Sequence, residues 1–278
     1  MVALACRKPA ELGLPRVRWT CRSLTAQLLD DGVFTSIHYT TIHLLLEQAD
    51  LHPHRLLYWK RSHDPDFVAK AVHVLWYYQM ARTLRQGGEW VFCLDEKTQI
   101  QLLGRKQPDI PMRPGCPRRR EHEYVRHGTG NLILIHDVVE GTLFADTPAY
   151  NRSGPLTDAL EQHLALYPQA QKLHYILDNG PTHDSAHTRR WRAGHGGRVR
   201  FHFTPIGASW LNQGELALSA FSRRYLRDRA WDDHRQFSPH VQNSVQYHNR
   251  HDACPFDWSF TRNRFREWNR CRTSSTGH

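Results

Sequence analysis

The sequence predicts an α/β fold, with strands alternating with helices behind a small all-α region. Three observations support that class. Short apolar runs recur between residues 90 and 203, helix-period stripes separate them, and the segment before Gly87-Gly88 shows only helical periodicity. The 278 residues suit one mid-sized domain plus a smaller one. With 40% hydrophobic residues there is material for a core, which excludes a wholly disordered chain.

In chain order, Leu24, Leu28 and Leu29 fall on helical spacing and stop at Asp30-Asp31-Gly32. A second helix follows, with Ser36 as cap, Ile37, Thr41, Ile42, Leu45 and Leu46 as the apolar stripe, and Thr40, His43 and Glu47 outward. Two short helices around a Gly-containing turn fit a helix-turn-helix DNA reader and fit an ordinary helical hairpin equally well. Asp64-Pro65-Asp66 starts a helix that carries Val68, Val72, Leu75 and Tyr78 and ends at Gly87-Gly88, taken as the hinge. The expected division is therefore 1–62 as the small all-α region, 63–88 as a linker helix and 89–278 as the larger domain.

Beyond the hinge, strands are expected at 90–95, 99–103 and 131–139, then a helix near Leu156 to Leu166. A buried strand follows at Leu173 to Asp178, then a helix over Ser185 to Trp191 and a last strand at Val199 to Phe203. A long helix from Asn212 places Leu218, Phe221, Tyr225 and Leu226 on one side. Residues 105–126 form a basic, Pro-rich connection, a composition usual for a solvated loop. The tail from Thr273 is too polar to pack.

Lys and Arg number 37 against 27 Asp and Glu, a net charge of +10. That surplus favours a polyanionic partner through phosphate neutralisation, although solubility alone also accounts for it. No window approaches the roughly eighteen consecutive apolar residues of a membrane span, and no secretory leader is visible. The six cysteines are scattered without a Cys-x-x-Cys pair, the usage of a reducing, cytoplasmic compartment.

Acids that close apolar strands are informative, because a buried carboxylate needs compensation. Asp95 closes Val-Phe-Cys-Leu, Asp178 closes Leu-His-Tyr-Ile-Leu, and Glu215 lies in the first turn of the helix after the last strand. Gathered at one sheet edge, the three would repel one another unless cations neutralised them, and an all-oxygen ligand set selects Mg²⁺ or Mn²⁺. Simpler readings stand beside this one. Asp178-Asn179-Gly180-Pro181 is a good turn, Asn212-Gln-Gly-Glu215 fits a capping box, and Glu96 competes with Asp95, although strand parity groups Asp95 with Val91 and Cys93.

These segments resemble an insertion-sequence transposase of the mariner superfamily. The resemblance is carried by Leu94-Asp-Glu-Lys-Thr-Gln99, Ile176-Leu-Asp-Asn-Gly-Pro-Thr-His183 and Phe203-Thr-Pro-Ile-Gly-Ala-Ser-Trp-Leu-Asn-Gln-Gly-Glu215, with 36 residues between Asp178 and Glu215. Arg126-His-Gly-Thr129 and Tyr247-His-Asn-Arg250 add to it. The resemblance implies an RNase H-like mixed sheet flanked by helices and a DDE triad of Asp95, Asp178 and Glu215 that binds two Mg²⁺ or Mn²⁺ ions. It further implies cleavage at element ends, strand transfer into target DNA, and a homodimer on double-stranded DNA carrying terminal inverted repeats. A bacterial, nucleoid-associated location fits that activity.

Asn179, His183 and Asn212 are candidates to stand behind the ligands and orient them, and turn structure explains Asn179 and His183 equally well. Arg118, Arg119, Arg120, Arg223 and Arg224 are the candidate phosphate contacts, with Arg262, Arg264 and Arg266 and the interleaved Tyr124, Tyr225, Phe265 and Trp268. Thr40 and His43 are the candidate base readers. The remaining histidines are expected at the surface or stacked. Two departures are visible: the N-terminal reader is short, as a truncated start would leave it, and Gly214 replaces a bulkier apolar residue, which loosens the first helical turn by up to about 1 kcal/mol. They leave open two alternatives, an inactive DNA-binding remnant and a structure-selective nuclease.

Overall fold

The computed structural model describes residues 1–53 and 62–274, with side chains to residue 270. The expected all-α region extends over 54–61, and the polar tail over 275–278; both stretches lie outside the described residues. The chain divides between residues 60 and 61 into two compact units.

The first unit contains α1 (Val2–Ala5), α2 (Cys21–Asp30) and α3 (Tyr39–Gln48). Thr20 caps α2 by accepting the Ser23 N–H while the Ser23 hydroxyl oxygen accepts the Thr20 N–H. Trp19, Leu24, Leu28, Ile42 and Leu46 form its core. Helix α3 starts later than Ser36 implies. His38 is its cap, because Ile37 is drawn against the core and leaves the chain extended through His38. The eight residues between α2 and α3 exceed the three or four of a helix-turn-helix connection.

The second unit begins with α4 (Phe67–Gln86), which starts after Asp64-Pro65-Asp66 rather than within it. The buried Asp64 carboxylate accepts from Asp66 N–H, Lys70 Nζ and Ile206 N–H, so it ties a corner together instead of capping the helix. Ala71, Val74, Leu75 and Tyr78 pack with Val91, Cys93 and Ile176. The helix expected to link two domains is therefore part of the second core. Gly87-Gly88 is a helix-to-strand corner with Gly88 at φ +80°, not the hinge.

The sheet comprises β1 (Glu89–Arg105), β2 (Tyr124–Asp137), β3 (Leu143–Asp146), β4 (Lys172–Leu177) and β5 (Val199–Phe203), in the order β3-β2-β1-β4-β5. β1 to β3 are antiparallel, and β4 and β5 are parallel to β1. This is the RNase H-like mixed sheet. The two strands expected at 90–95 and 99–103 are one long strand bent at an irregularity between Lys97 and Ile100, where Gln99 has φ +55°. β3 was not expected, being only four residues long.

Alternation along the central strands serves two layers. Phe92, Leu94, Ile133, Ile135 and Tyr175 face α5 (Ser153–Ala165), with Trp191 of α6 (Ala186–Gly194) packed against the same cluster. On the other face, Leu132 and Leu134 meet α7 (Gln213–Phe221) and α8 (Phe237–His251). The expected long helix from Asn212 ends as α-helix at Phe221 and continues as a π-turn over Ser222–Leu226. Neither α8 nor α9 (Arg262–Ser274) was expected, because each offers few apolar anchors in a polar segment. Among the described residues no helix is long and apolar enough to cross a membrane, and Cys6, Cys21, Cys93, Cys116 and Cys254 are free.

Candidate active site

Cys93 and Ile176 are the last paired residues of the parallel β1/β4 ladder. Two residues further along each chain come Asp95 and Asp178, and the period of two puts both on the face of Cys93 and Ile176. Glu96 has the opposite parity, that of Phe92 and Leu94. The third acid arrives on α7. Asn212 caps that helix by accepting the Gly214 N–H at 2.9 Å, and its Nδ2 donates to the Leu94 carbonyl at 2.7 Å, so one side chain ties the helix start to the strand beside Asp95. The Tyr78 hydroxyl, from α4, donates to the Leu211 carbonyl and accepts from the Gln213 N–H.

Gly214 makes this approach possible. A Cβ there would lie 3.2 Å from Asp95 Cβ, 3.1 Å from the Leu94 carbonyl carbon and 3.0 Å from Asn212 Oδ1. The bulkier residue whose absence the sequence suggested as a weakness has no room, so the glycine brings the first turn of α7, and Glu215 with it, against β1.

The carboxylates sense one another. Burial, reinforced by the charges of Asp178, Glu215 and Glu96, raises the Asp95 carboxyl to about 7 against the opposing hydrogen bond from the Glu96 backbone. Asp178 is lowered, first by its hydrogen bond with His183, whose Nδ1 lies 2.9 Å from Oδ1. His183 is itself 4% exposed, and its Nε2 lies 3.2 Å from Glu96 Oε1. Burial pulls its pKa down, but the hydrogen bonds to Asp178 and Glu96 outweigh that and carry it up to about 10. Among the described residues no three His, Cys, Asp or Glu side chains are gathered closely enough to hold a metal ion as they stand. The donor set is nonetheless all oxygen and mutually repulsive, which suits a hard cation that keeps several waters and takes one or two carboxylates.

The other expected site residues are dispersed. Asn179 Nδ2 donates to the Thr204 carbonyl at 2.6 Å, so it ties the end of β4 to the end of β5. Thr40 and His43 are exposed on α3, with the Thr40 hydroxyl 2.8 Å from the His38 ring and His43 3.5 Å from Glu47. Arg118 and Arg119 are exposed, and so are Arg223 and Arg224 on the π-turn. Arg118 pairs with Asp109 at 3.5 Å and Arg224 with Asp252 at 3.9 Å while staying exposed, whereas Arg120 is half-buried, pairs with Asp109 and Asp228 and donates to the Asp228 carbonyl, which makes it a structural tie across the basic connection rather than an open phosphate contact. Phe265 is fully buried against Phe67 and is a core residue, not a stacking platform. Of the remaining histidines, His136, His163, His174 and His202 are buried rather than at the surface, each packed against another ring, and His174 and His202 stack on each other. Tyr78 and the Glu96–His183 pair went unnoticed in the sequence, where only the nearness of His183 to Asp178 gave a signal.

An RNase H-like sheet with one acid just past the point where the β1/β4 ladder stops and another just past the end of β4 fits a phosphodiester-cleaving enzyme. Residues 90–238 match the family described as DDE superfamily endonuclease, and the chain belongs to that family. No curated protein sequence matches it. Among solved structures, the Mos1 transposase paired-end complex with left transposon end is 13% identical with a TM-score of 0.47, covering 87% of this chain and 81% of that one. The mariner Mos1 paired-end complex with Mg is 13% identical at a TM-score of 0.42, with the same coverage. The HTLV-2 integrase catalytic core domain in complex with magnesium is 12% identical at 0.34, covering 56% of this chain and 82% of that one. Family membership rests on the match over residues 90–238.

Proposed function

We propose that this chain is a DNA transposase of the mariner superfamily that cleaves at the ends of its element and joins the freed ends to target DNA. The reading is supported by Asp95 and Asp178 sharing one face where the β1/β4 ladder stops, and by the close approach of α7 at Gly214, which carries Glu215 toward Asp95. Asp95, Asp178 and Glu215 would hold Mg²⁺ or Mn²⁺, with two ions as the expected complement. The bound cation would lower the pKa of a water and stabilise charge developing on the phosphate oxygens.

The protein's own contribution is placement. Asn212 and Tyr78 fix the start of α7 against β1, and the half-buried Asp95 sits where its charge is costly until compensated. Water adds to phosphorus and the bond to the 3′-oxygen breaks, leaving a 3′-hydroxyl and a 5′-phosphate. The 3′-hydroxyl then attacks a target phosphodiester and displaces the 3′-oxygen of the target strand. The exposed Arg118, Arg119, Arg223 and Arg224 would neutralise backbone phosphates, and Thr40 and His43 would face the terminal repeats. Paired ends require at least a homodimer on DNA.

The test is cleavage and joining of DNA carrying the cognate inverted repeats with Mg²⁺, comparing the wild type with Asp95→Ala, Asp178→Ala and Glu215→Ala. Each variant is expected to lose both steps. Retention of activity by all three would refute the assignment, and hydrolysis without joining in the wild type would make the chain a nuclease instead. Gly214 serves a close approach, so the glycine itself supports an active site rather than an inactive remnant.

A further inference from the structure

We infer that Glu96, acting through His183, is a positioning residue that holds the Asp178 carboxylate with Oδ1 committed to the protein and Oδ2 left for a divalent cation. The inference rests on the cation-binding role proposed for Asp178. It starts from the sheet. The β1/β4 ladder stops at Cys93 and Ile176, so beyond it the two strands no longer bond to each other. His183 occupies that opening, buried, with one ring nitrogen toward each strand's acid.

Glu96 points to the face opposite Asp95 and therefore is not placed beside it as a ligand. Its carboxylate is only 12% exposed, and the partner it has there is His183 Nε2. Carboxylates only accept, so the ring donates from both nitrogens and its plane is fixed at both ends. His183 Nδ1 donates to the Asp178 backbone carbonyl at 3.1 Å and pairs with Oδ1 at 2.9 Å, and Oδ1 also receives the Gly180 N–H at 2.9 Å. Among the described residues nothing bonds to Oδ2. The loop closes tightly enough that a Cβ at Gly180 would lie 3.0 Å from His183 Nδ1 and 3.1 Å from Asp178 Oδ1. A carboxylate whose one oxygen is held by a backbone N–H and an ion pair, with the other unbonded, is prepared to give a single, directed oxygen to a cation, as ligands held from behind commonly are.

The experiment measures Mn²⁺ binding to the full chain by the loss of the free-ion electron paramagnetic resonance signal, with melting temperature recorded for every variant. Asp178→Asn defines the site-specific fraction. Glu96→Ala and His183→Ala are each expected to weaken that fraction about tenfold or more, and the double variant no further, because the two residues act in series. Glu96→Gln keeps an acceptor for the ring and is expected to restore most of the affinity. If Glu96→Ala does not fold, Glu96→Met, of similar length and without an acceptor, takes its place. Wild-type affinity in Glu96→Ala or Glu96→Met, or losses that add in the double variant, would overturn the inference while leaving the site intact. If Asp178→Asn binds Mn²⁺ as the wild type does, the proposed site itself is wrong.

Discussion

Replacing Gly214 by alanine tests how the third acid is placed. Alanine is the better helix former by up to about 1 kcal/mol in a helix interior, so propensity alone would stabilise the variant. Against that gain stand the three contacts of 3.0, 3.1 and 3.2 Å that the new methyl would make. None of those neighbours can swing aside. The Leu94 carbonyl is held by Asn212 Nδ2, Asn212 Oδ1 is held by the Gly214 N–H, and Asp95 Cβ is fixed by its strand. Overpacking of a tight site costs about 1–3 kcal/mol, so Gly214→Ala is expected to lose about 1 kcal/mol or somewhat more of net stability. The strain is relieved by α7 drawing back a few tenths of an ångström, which carries Glu215 away from Asp95. Since a misplacement of about 1 Å can cost on the order of 100-fold in rate, single-turnover cleavage is expected to fall about tenfold with DNA affinity unchanged. Urea unfolding and single-turnover cleavage check both halves. A variant that unfolds at higher urea and cleaves at the wild-type rate would refute the close-approach argument.

Four further outcomes follow from the charges. Because the folded Asp95 carboxyl is raised to about 7, its contribution to stability is present at acid pH and lost as pH rises from the ordinary carboxylate range through about 7. Asp95→Asn should therefore melt higher than the wild type at pH 8 in EDTA and show no such gain at pH 4, and Mg²⁺ should raise the wild-type melting temperature at pH 8 more than the variant's. His73, His202 and His174 form a hydrogen-bonded chain, with contacts of 2.9 and 2.9 Å, that ends on the Glu89 carboxylate at 2.7 Å. Burial lowers all three, His202 to about 3. Their contribution is thus present above the ordinary histidine value and lost as pH falls from there toward the folded values. Urea midpoints should drop between pH 7 and pH 4.5, less steeply in His202→Leu. Arg223→Ala should reduce the salt dependence of DNA binding by about one counterion, whereas Arg120→Ala should expose residues 106–123 to limited proteolysis.

What was legible in the sequence was local. Apolar runs announced β1, β2 and β4 because central strands of such a sheet are buried on both faces, the alternation of Val199, Phe201 and Phe203 announced the edge strand β5, and parity alone separated Asp95 from Glu96. The edge strand β3 and helices α8 and α9 were illegible for the converse reason, since their few anchors, such as Val241, Val245 and Phe265, make sense only once the surface they cover exists. The two strands expected before residue 104 merged because β2 supplies a partner across the bend at Gln99. Arg120 looked like any other arginine of a basic loop until Asp109 and Asp228 closed on it.

The sequence by itself determined the alternation of strands and helices, the basic character of the chain and the acids that close the apolar runs, because each depends on periodicity or composition within a few residues. Only the tertiary structure decided that Gly214 abuts Asp95, that Tyr78 of a supposed linker braces the start of α7, and that His183 joins Glu96 to Asp178. Apart from the local His183–Asp178 contact, those contacts join residues 87 to 135 positions apart, and no local pattern records where a chain returns to meet itself.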